Sequence, residues 1–335
     1  MKLQMRPLLV VFFLMFGGIS AWAADPVKLS FGTDWLAEAE HGGFYQSQAL
    51  GLYRRHGLDI SIRMGGPQTN GSLAVAGGQV DFMLASGALS ALSMAEQGIP
   101  VQAVAAYFQK DPQVLIAHPG TGADTMEELR GHPIMMSAGA RATLWEFLKR
   151  RFGYEDAQYR PYNFALAPWL RDKTMVMEGF LSSEPYLIEK QTGERPVVQL
   201  IADHGFANYS DVILVRSRMI AEHPDWVQAF VDASAEGWYS YLYGDPSPGN
   251  ALIRHDNPDM TQDVLDNAIA VMRAHGIVDS GESLTNGIGA MSDARWAALL
   301  DSMTEAGLFK PGLDARRAYT LRFVNRKVGM ELRPR

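Results

Sequence analysis

The sequence predicts an α/β protein of two lobes. Three observations carry this: short apolar runs alternate with helical patterns, each run breaks at glycine or serine, and the grammar restarts after residue 118. Alternation of this kind builds parallel sheets, and ligands gather outside the carboxyl ends of their strands. In the first lobe the run 27–31 breaks at Gly32, the run 58–62 at Gly65-Gly66-Pro67, and the run 81–85 at Ser86-Gly87. Between them the spacing predicts a helix over 43–56, with Phe44, Ala49, Leu52 and Tyr53 in phase and Gly57 as its stop. Another helix is expected after Pro67, and a third over 86–97 that Gly98 ends. A pocket at these strand exits would collect Thr33, Asp34, Trp35, His41, the loop from Gly65 to Thr69, and Ser86.

Strands at 101–107 and 111–117 follow, then a short helix at 125–129 and a strand at 134–136 that breaks at Ser137. An amphipathic helix over 141–151 carries Leu144, Trp145 and Leu148 on one face. Strands are expected at 158–160, 175–181 and 197–201, with a helix starting at Pro185, where a missing N–H costs nothing. A polar loop at 204–211 leads to a strand at 212–215, and the chain is then helical almost to Gly307. The tail 316–335 holds seven basic residues and reads as a solvated terminus. The division that results is 25–112 with 216–335 for lobe one and 118–212 for lobe two. Crossovers near 112–118 and 208–216 would form a hinge with the ligand cleft between the lobes.

Residues 1–24 read as a signal peptide. Lys2 and Arg6 give a basic start, 8–19 is apolar, and Ala21-Trp22-Ala23 supplies the small-x-small cleavage pattern before Ala24. No later segment has the length of a membrane span, and with no cysteine there is no lipid-attachment site. The expected mature protein is soluble, exported and monomeric. Without Lys2 and Arg6 there are 28 basic against 37 acidic residues, which disfavours nucleic acid as a partner. His41, His56, His118 and His132 lack metal-ligand spacing, and HExxH, GxSxG, the P-loop and GxGxxG are all absent. No cofactor, metal or catalytic residue is expected.

Several side chains are candidates for ligand contact. Trp35, just past a strand exit, offers a face for a flat ligand. His41 either donates to a ligand oxygen or caps the helix that starts near Gly42. Gly66 and Thr69 precede a helix N-terminus, whose free N–H groups suit an anion or a carbonyl, and Ser86 repeats the arrangement. Arg141, if it faces the cleft, favours a carboxylate, sulfonate or phosphate. Glu184 argues the other way: in a dry cleft an unpaired carboxylate asks the ligand for N–H donors or positive charge. Asp211 could play the same part. Tyr186, Phe206, Asn208 and Tyr209 complete the set.

Asp34-Trp35, His41-Gly42-Gly43-Phe44-Tyr45, Gly51-Leu52-Tyr53, Gly57-Leu58-Asp59-Ile60, Gly78-Gln79-Val80-Asp81-Phe82, Gly98-Ile99-Pro100-Val101, and Gly179 with Glu184-Pro185-Tyr186 form an ordered set. It resembles the SsuA/THI5-like (NMT1/THI5) family, which takes in thiamine-pyrimidine and sulfonate-type solute-binding proteins and a fungal pyrimidine synthase. The resemblance covers nearly all the mature chain, more weakly after about residue 250. It implies a type II, two-crossover periplasmic binding-protein fold and a receptor that hands its ligand to an ABC transporter permease. It also implies that Trp35 stacks on the ligand ring and that polar and acidic partners fall near His41, Glu184 and Tyr186. The fungal branch consumes its own histidine, at the place of His41, and needs a cysteine-rich motif; this chain has no cysteine. The expectation is therefore a periplasmic receptor for a thiamine-related aminopyrimidine. Receptors for an aromatic carboxylate, sulfonate or flavin, a pyrimidine-synthesis enzyme and a periplasmic sensor subunit are the alternatives.

Overall fold

The structure, a computed structural model, describes residues 25–334; the expected signal peptide lies outside the described residues. Ten strands form two five-stranded sheets. β1 (Val27–Gly32), β2 (Leu58–Arg63), β3 (Phe82–Ala85) and β4 (Val101–Phe108) belong to the first sheet. β5 (Gln113–Ala117), β6 (Ile134–Met136), β7 (Tyr159–Pro161), β8 (Val176–Phe180) and β9 (Val197–Leu200) make the second. β10 (Ser210–Arg216) returns to the first sheet, whose order is β2-β1-β3-β10-β4; the second runs β7-β6-β8-β5-β9.

Both sheets are mixed. β10 lies antiparallel between β3 and β4, and β5 lies antiparallel between β8 and β9. Each of these strands enters its sheet directly from a crossover, so it starts where the parallel strands end. The carboxyl ends of β1, β3, β6 and β8 and the amino ends of β5 and β10 therefore open on one space between the sheets. That geometry puts chemistry from six strands in a single cleft.

The crossovers are 109–112 and 205–209, tighter than the expected 112–118 and 208–216. β5 pairs inside the second sheet, and Ser210 at the start of β10 is already in register with Phe108 of β4. Lobe two thus begins near 113 and ends near 204. Asn208 Nδ2 donates to Asp111 at 2.7 Å, and Arg295 Nη2 donates to the carbonyls of Gln109 and Asn208 at 2.5 and 2.9 Å. The two crossing segments are thus clipped side by side.

Two other expectations give way. Residues 125–129 form hydrogen-bonded turns rather than a helix. The basic tail is docked and not free: Ala103 exchanges backbone hydrogen bonds with Ala318 and Thr320, covering the outer edge of β4. Phe323 is buried there, and Arg333 pairs with Asp279 at 2.5 Å. A sheet edge and a buried carboxylate explain what an isolated reading of charge could not.

The helix Pro224–Tyr243 lies across the first sheet, with Phe230 stacked on Phe82 at 4.0 Å between ring centroids. The helix Gly42–Ala49 packs against it with almost no gap. A Cβ on Gly43 would stand 2.2 Å from the Trp238 ring, and one on Gly237 would stand 1.8 Å from Ser47 Oγ. These contacts hold the end of the segment 33–41, the one that carries Trp35 and His41 into the cleft. Gly43→Ala should lower stability by ~1–3 kcal/mol through overpacking, read as a fall of several degrees in Tm. Gly139 has open space where a Cβ would stand, so Gly139→Ala should leave Tm unchanged or raise it.

Candidate functional site

A cleft of about 800 Å³ separates the lobes, within the range of small-molecule sites. Of the residues expected there, Trp35, His41, Gly66, Thr69, Ser86, Glu184 and Asp211 line it. So do Phe206 and Asn208. Its most telling feature is charge: among the described residues seven carboxylates line the cleft and no lysine or arginine does. Lobe one contributes Asp34, Glu38, Glu40 and Asp211, the first crossover Asp111, and lobe two Glu178 and Glu184.

Asp34 follows β1; its Oδ2 accepts from Ser86 Oγ at 2.6 Å and its Oδ1 lies 3.4 Å from His41 Nε2. Glu40 accepts from Ser182 Oγ of lobe two, a buried contact across the cleft. Asp211, 4% exposed, adopts φ +50°, in the left-handed region that a non-glycine residue rarely enters. Among the described residues its Oδ2 is buried without a hydrogen-bond partner, as are His41 Nδ1 and Asn208 Oδ1.

Lobe two fills its own anion positions. Glu178 lies in the middle of β8 and accepts from the backbone N–H of Ser137, at the start of the helix Ala138–Phe152, at 2.7 Å. Glu184 opens the helix Glu184–Thr192 and accepts from the Phe180 N–H at 2.7 Å. Gly179 permits this, because a Cβ there would stand 3.0 Å from Glu184 Oε2. Helix N-termini attract anions, and here protein carboxylates already sit at them.

Burial raises the carboxyl pKa of Glu178 and of Glu184 to about 7, more than their hydrogen bonds lower it. Burial likewise lifts Asp111 to about 6. Glu38 and Asp211 rise well above the ordinary range, from desolvation first and from neighbouring carboxylates second.

The aromatic side of the cleft crosses the lobes. Trp35 meets Phe164 at 4.5 Å between centroids, and Phe164 meets Tyr162 at 5.2 Å. Phe164 has φ +63°, so both the acid Asp211 and this ring are presented by strained backbone.

Three expected residues lie elsewhere. Arg141 sits over the Tyr159 ring at 4.1 Å and 3.6 Å from Asp156, drawn to the outer side of its helix. Tyr186 lies on the far side of the helix that Glu184 opens; its hydroxyl donates to Asp263 Oδ2 of lobe one at 2.6 Å, as Lys190 does. Tyr209 is buried behind the cleft, under Arg295 at 3.9 Å, with its hydroxyl donating to Glu282. Sequence reasoning passed over Glu38, Glu40, Asp111 and Glu178. The signal for Glu178 was a lone charge inside an apolar strand, and for Glu38 and Glu40 two further acids four and six residues after Asp34. Among the described residues no cluster of histidines and acids is arranged to hold a metal ion, and no helix is long and apolar enough to cross a membrane.

The family model described as NMT1/THI5 like matches residues 38–248. A riboflavin-binding protein, RibY of Chloroflexus aurantiacus, is 23% identical over 89% of this chain and 86% of its own length. Among solved structures, the ligand-binding component of an ABC-type import system from Staphylococcus aureus superposes with a TM-score of 0.62. It is 14% identical over 92% of this chain and 99% of its own. The alkanesulfonate-binding protein SsuA of Xanthomonas axonopodis, bound to MOPS, gives 0.63 at 15% identity over 89% and 99%. The desulfurization enzyme DSZB shares the fold with a TM-score of 0.57, at 12% identity over 89% and 97%. The fold is that of the periplasmic binding proteins.

A carboxyl with a raised folded-state pKa binds its proton more tightly folded than unfolded. Stability is therefore lost as pH rises from about 4.5 through about 7, the window set by Glu178 and Glu184. The ligand-free protein should show a Tm that falls between about pH 5 and pH 8. Asp211→Asn, which keeps shape and removes charge, should raise Tm at pH 8 and flatten that slope; an unchanged slope would contradict the electrostatic reading.

Proposed function

Because the chain belongs to the NMT1/THI5-like family, we propose that it is the periplasmic substrate-binding protein of an ABC importer for a flat heterocycle. The solute we favour is rich in N–H donors, an aminopyrimidine of the thiamine-precursor type. The observation that carries the reading is a cleft lined, among the described residues, by seven carboxylates and three clustered rings, with neither lysine nor arginine. An exocyclic amine and ring nitrogens that share a proton satisfy acids of this kind, and Trp35 supplies the stacking face. A sulfonate or carboxylate would meet only like charge, so that class is set aside although SsuA has the same fold. A flavin is the second reading, favoured by the likeness to RibY and admitted by the cleft volume.

We read the protein as a receptor and not as an enzyme. DSZB, an enzyme, shares the fold, and the receptor reading is supported by the likeness to binding proteins such as RibY and SsuA. Export to the periplasm rests on the basic and apolar start of the sequence. Closure about the crossovers 109–112 and 205–209 would turn ligand binding into a shape that a permease recognises. The contacts of Tyr186 and Lys190 with Asp263 join the lobes.

A thermal-shift series with hydroxymethyl- and formylamino-pyrimidines, riboflavin and benzenesulfonate tests the reading. A ligand at 100 times its Kd adds about 2.7 kcal/mol to apparent stability. The pyrimidines should stabilise the protein, and Trp35→Ala should weaken them by roughly 5- to 150-fold, the worth of one stacking face. Stabilisation by benzenesulfonate alone would overturn the assignment.

A further inference from the structure

We propose that the solute is captured as an organic cation, a ring-bearing ammonium or amidinium whose positive centre sits among Glu38, Glu40 and Asp211. This deepens the receptor reading and rests on it. The argument begins with what the cleft lacks. Among the described residues its wall presents one histidine, His41, and no other basic side chain. Arg295, behind Asp111, is engaged with the backbone of both crossovers.

The acids differ in what holds them: Asp34 and Glu40 each take a serine hydroxyl. Glu178 and Glu184 each take a backbone N–H, and Asp111 takes the amide of Asn208 and the N–H of Gln113. These are held by the protein itself. Glu38, by contrast, is half-buried at the cleft wall, and Asp211 leaves Oδ2 buried and unpartnered among the described residues, on a strained backbone. A carboxylate oxygen desolvated without a partner is costly, and a neutral donor would satisfy its hydrogen-bonding capacity but not its charge. A cation does both. A metal ion is the wrong cation, since no set of ligands converges for one among the described residues. The rings of Trp35, Tyr162 and Phe164 beside the acids suit a nitrogen cation carried on an organic frame, attracted by their faces.

Linkage gives a second consequence. The groups that face the cation are Asp34, Glu38, Glu40, His41 and Asp211 from lobe one, and Asp111 from the crossover. Glu178, Glu184 and the Tyr162 hydroxyl face it from lobe two. With the acids raised, several hold protons when no cation is present, and an arriving cation displaces them. Affinity for the cation should therefore rise with pH between about 5.5 and 8.

Titration calorimetry on the mature protein with matched ligands tests this. One pair is 4-amino-5-aminomethyl-2-methylpyrimidine, a cation at neutral pH, and its neutral 5-hydroxymethyl isostere. A second set is benzylammonium, benzyl alcohol and benzenesulfonate. The ammonium member should bind at least tenfold more tightly than its neutral partner, more so at pH 8 than at pH 5.5. Asp211→Asn should remove most of that preference. Binding of both pyrimidines with equal affinity overturns the cation inference and leaves the aminopyrimidine reading standing. A cation preference in the benzyl set with no binding of either pyrimidine keeps the inference and removes the aminopyrimidine. Binding of benzenesulfonate alone, or of no member of either set, overturns both.

Discussion

Seven carboxylates in one cleft cannot all be ionised together without a compensating charge. That constraint organises the site. Glu178, Glu184 and Asp111 are steadied by backbone or amide donors, Asp34 by the Ser86 hydroxyl, and Glu40 by a serine of the other lobe. Glu38 and Asp211 are left to the solute. Burial first, and neighbouring carboxylates second, raise the pKa of both well above the ordinary carboxyl range. The cleft therefore stores electrostatic strain in the ligand-free protein, a common arrangement where stability is given up for recognition.

The fold makes this concentration possible through strand direction. A return strand in each sheet starts where its parallel neighbours stop, so β10 brings Asp211 beside the segment that follows β1, and Asp111 stands just before β5. The glycine-mediated contact of Gly42–Ala49 with Pro224–Tyr243 then anchors the segment that carries Trp35 to His41. Clipped crossovers at Asp111, Asn208 and Arg295 let the two lobes share one wall. Packing on lobe one thus sets the position of chemistry that faces lobe two.

Much of this was legible in the sequence, because glycine and serine mark strand exits and helix periodicity marks the layers. The two lobes, the pocket at the exits, and Trp35, His41, Ser86, Glu184 and Asp211 follow from those marks. Strand direction does not: nothing in the run 210–216 says that it lies antiparallel between β3 and β4, so the second crossover was set a few residues late. Arg141 shows another limit. It lies one helical turn after Ser137, but the choice between the cleft and the outer face was made by Asp156 and Tyr159, fifteen and eighteen residues on. Tyr186 and Glu184 are two residues apart on one helix and so point to different sides. The acids missed at Glu38, Glu40, Asp111 and Glu178 are ordinary polar residues until the fold brings them together.

The central claim is that a positive solute replaces protons in this cleft. Its most direct measurement is the proton count on binding, from calorimetry of the aminomethylpyrimidine at pH 7 in buffers of different ionisation enthalpy. Displacement of protons from the acids requires a net release, smaller in Asp211→Asn. Binding with no proton exchange, or with net uptake, would contradict it.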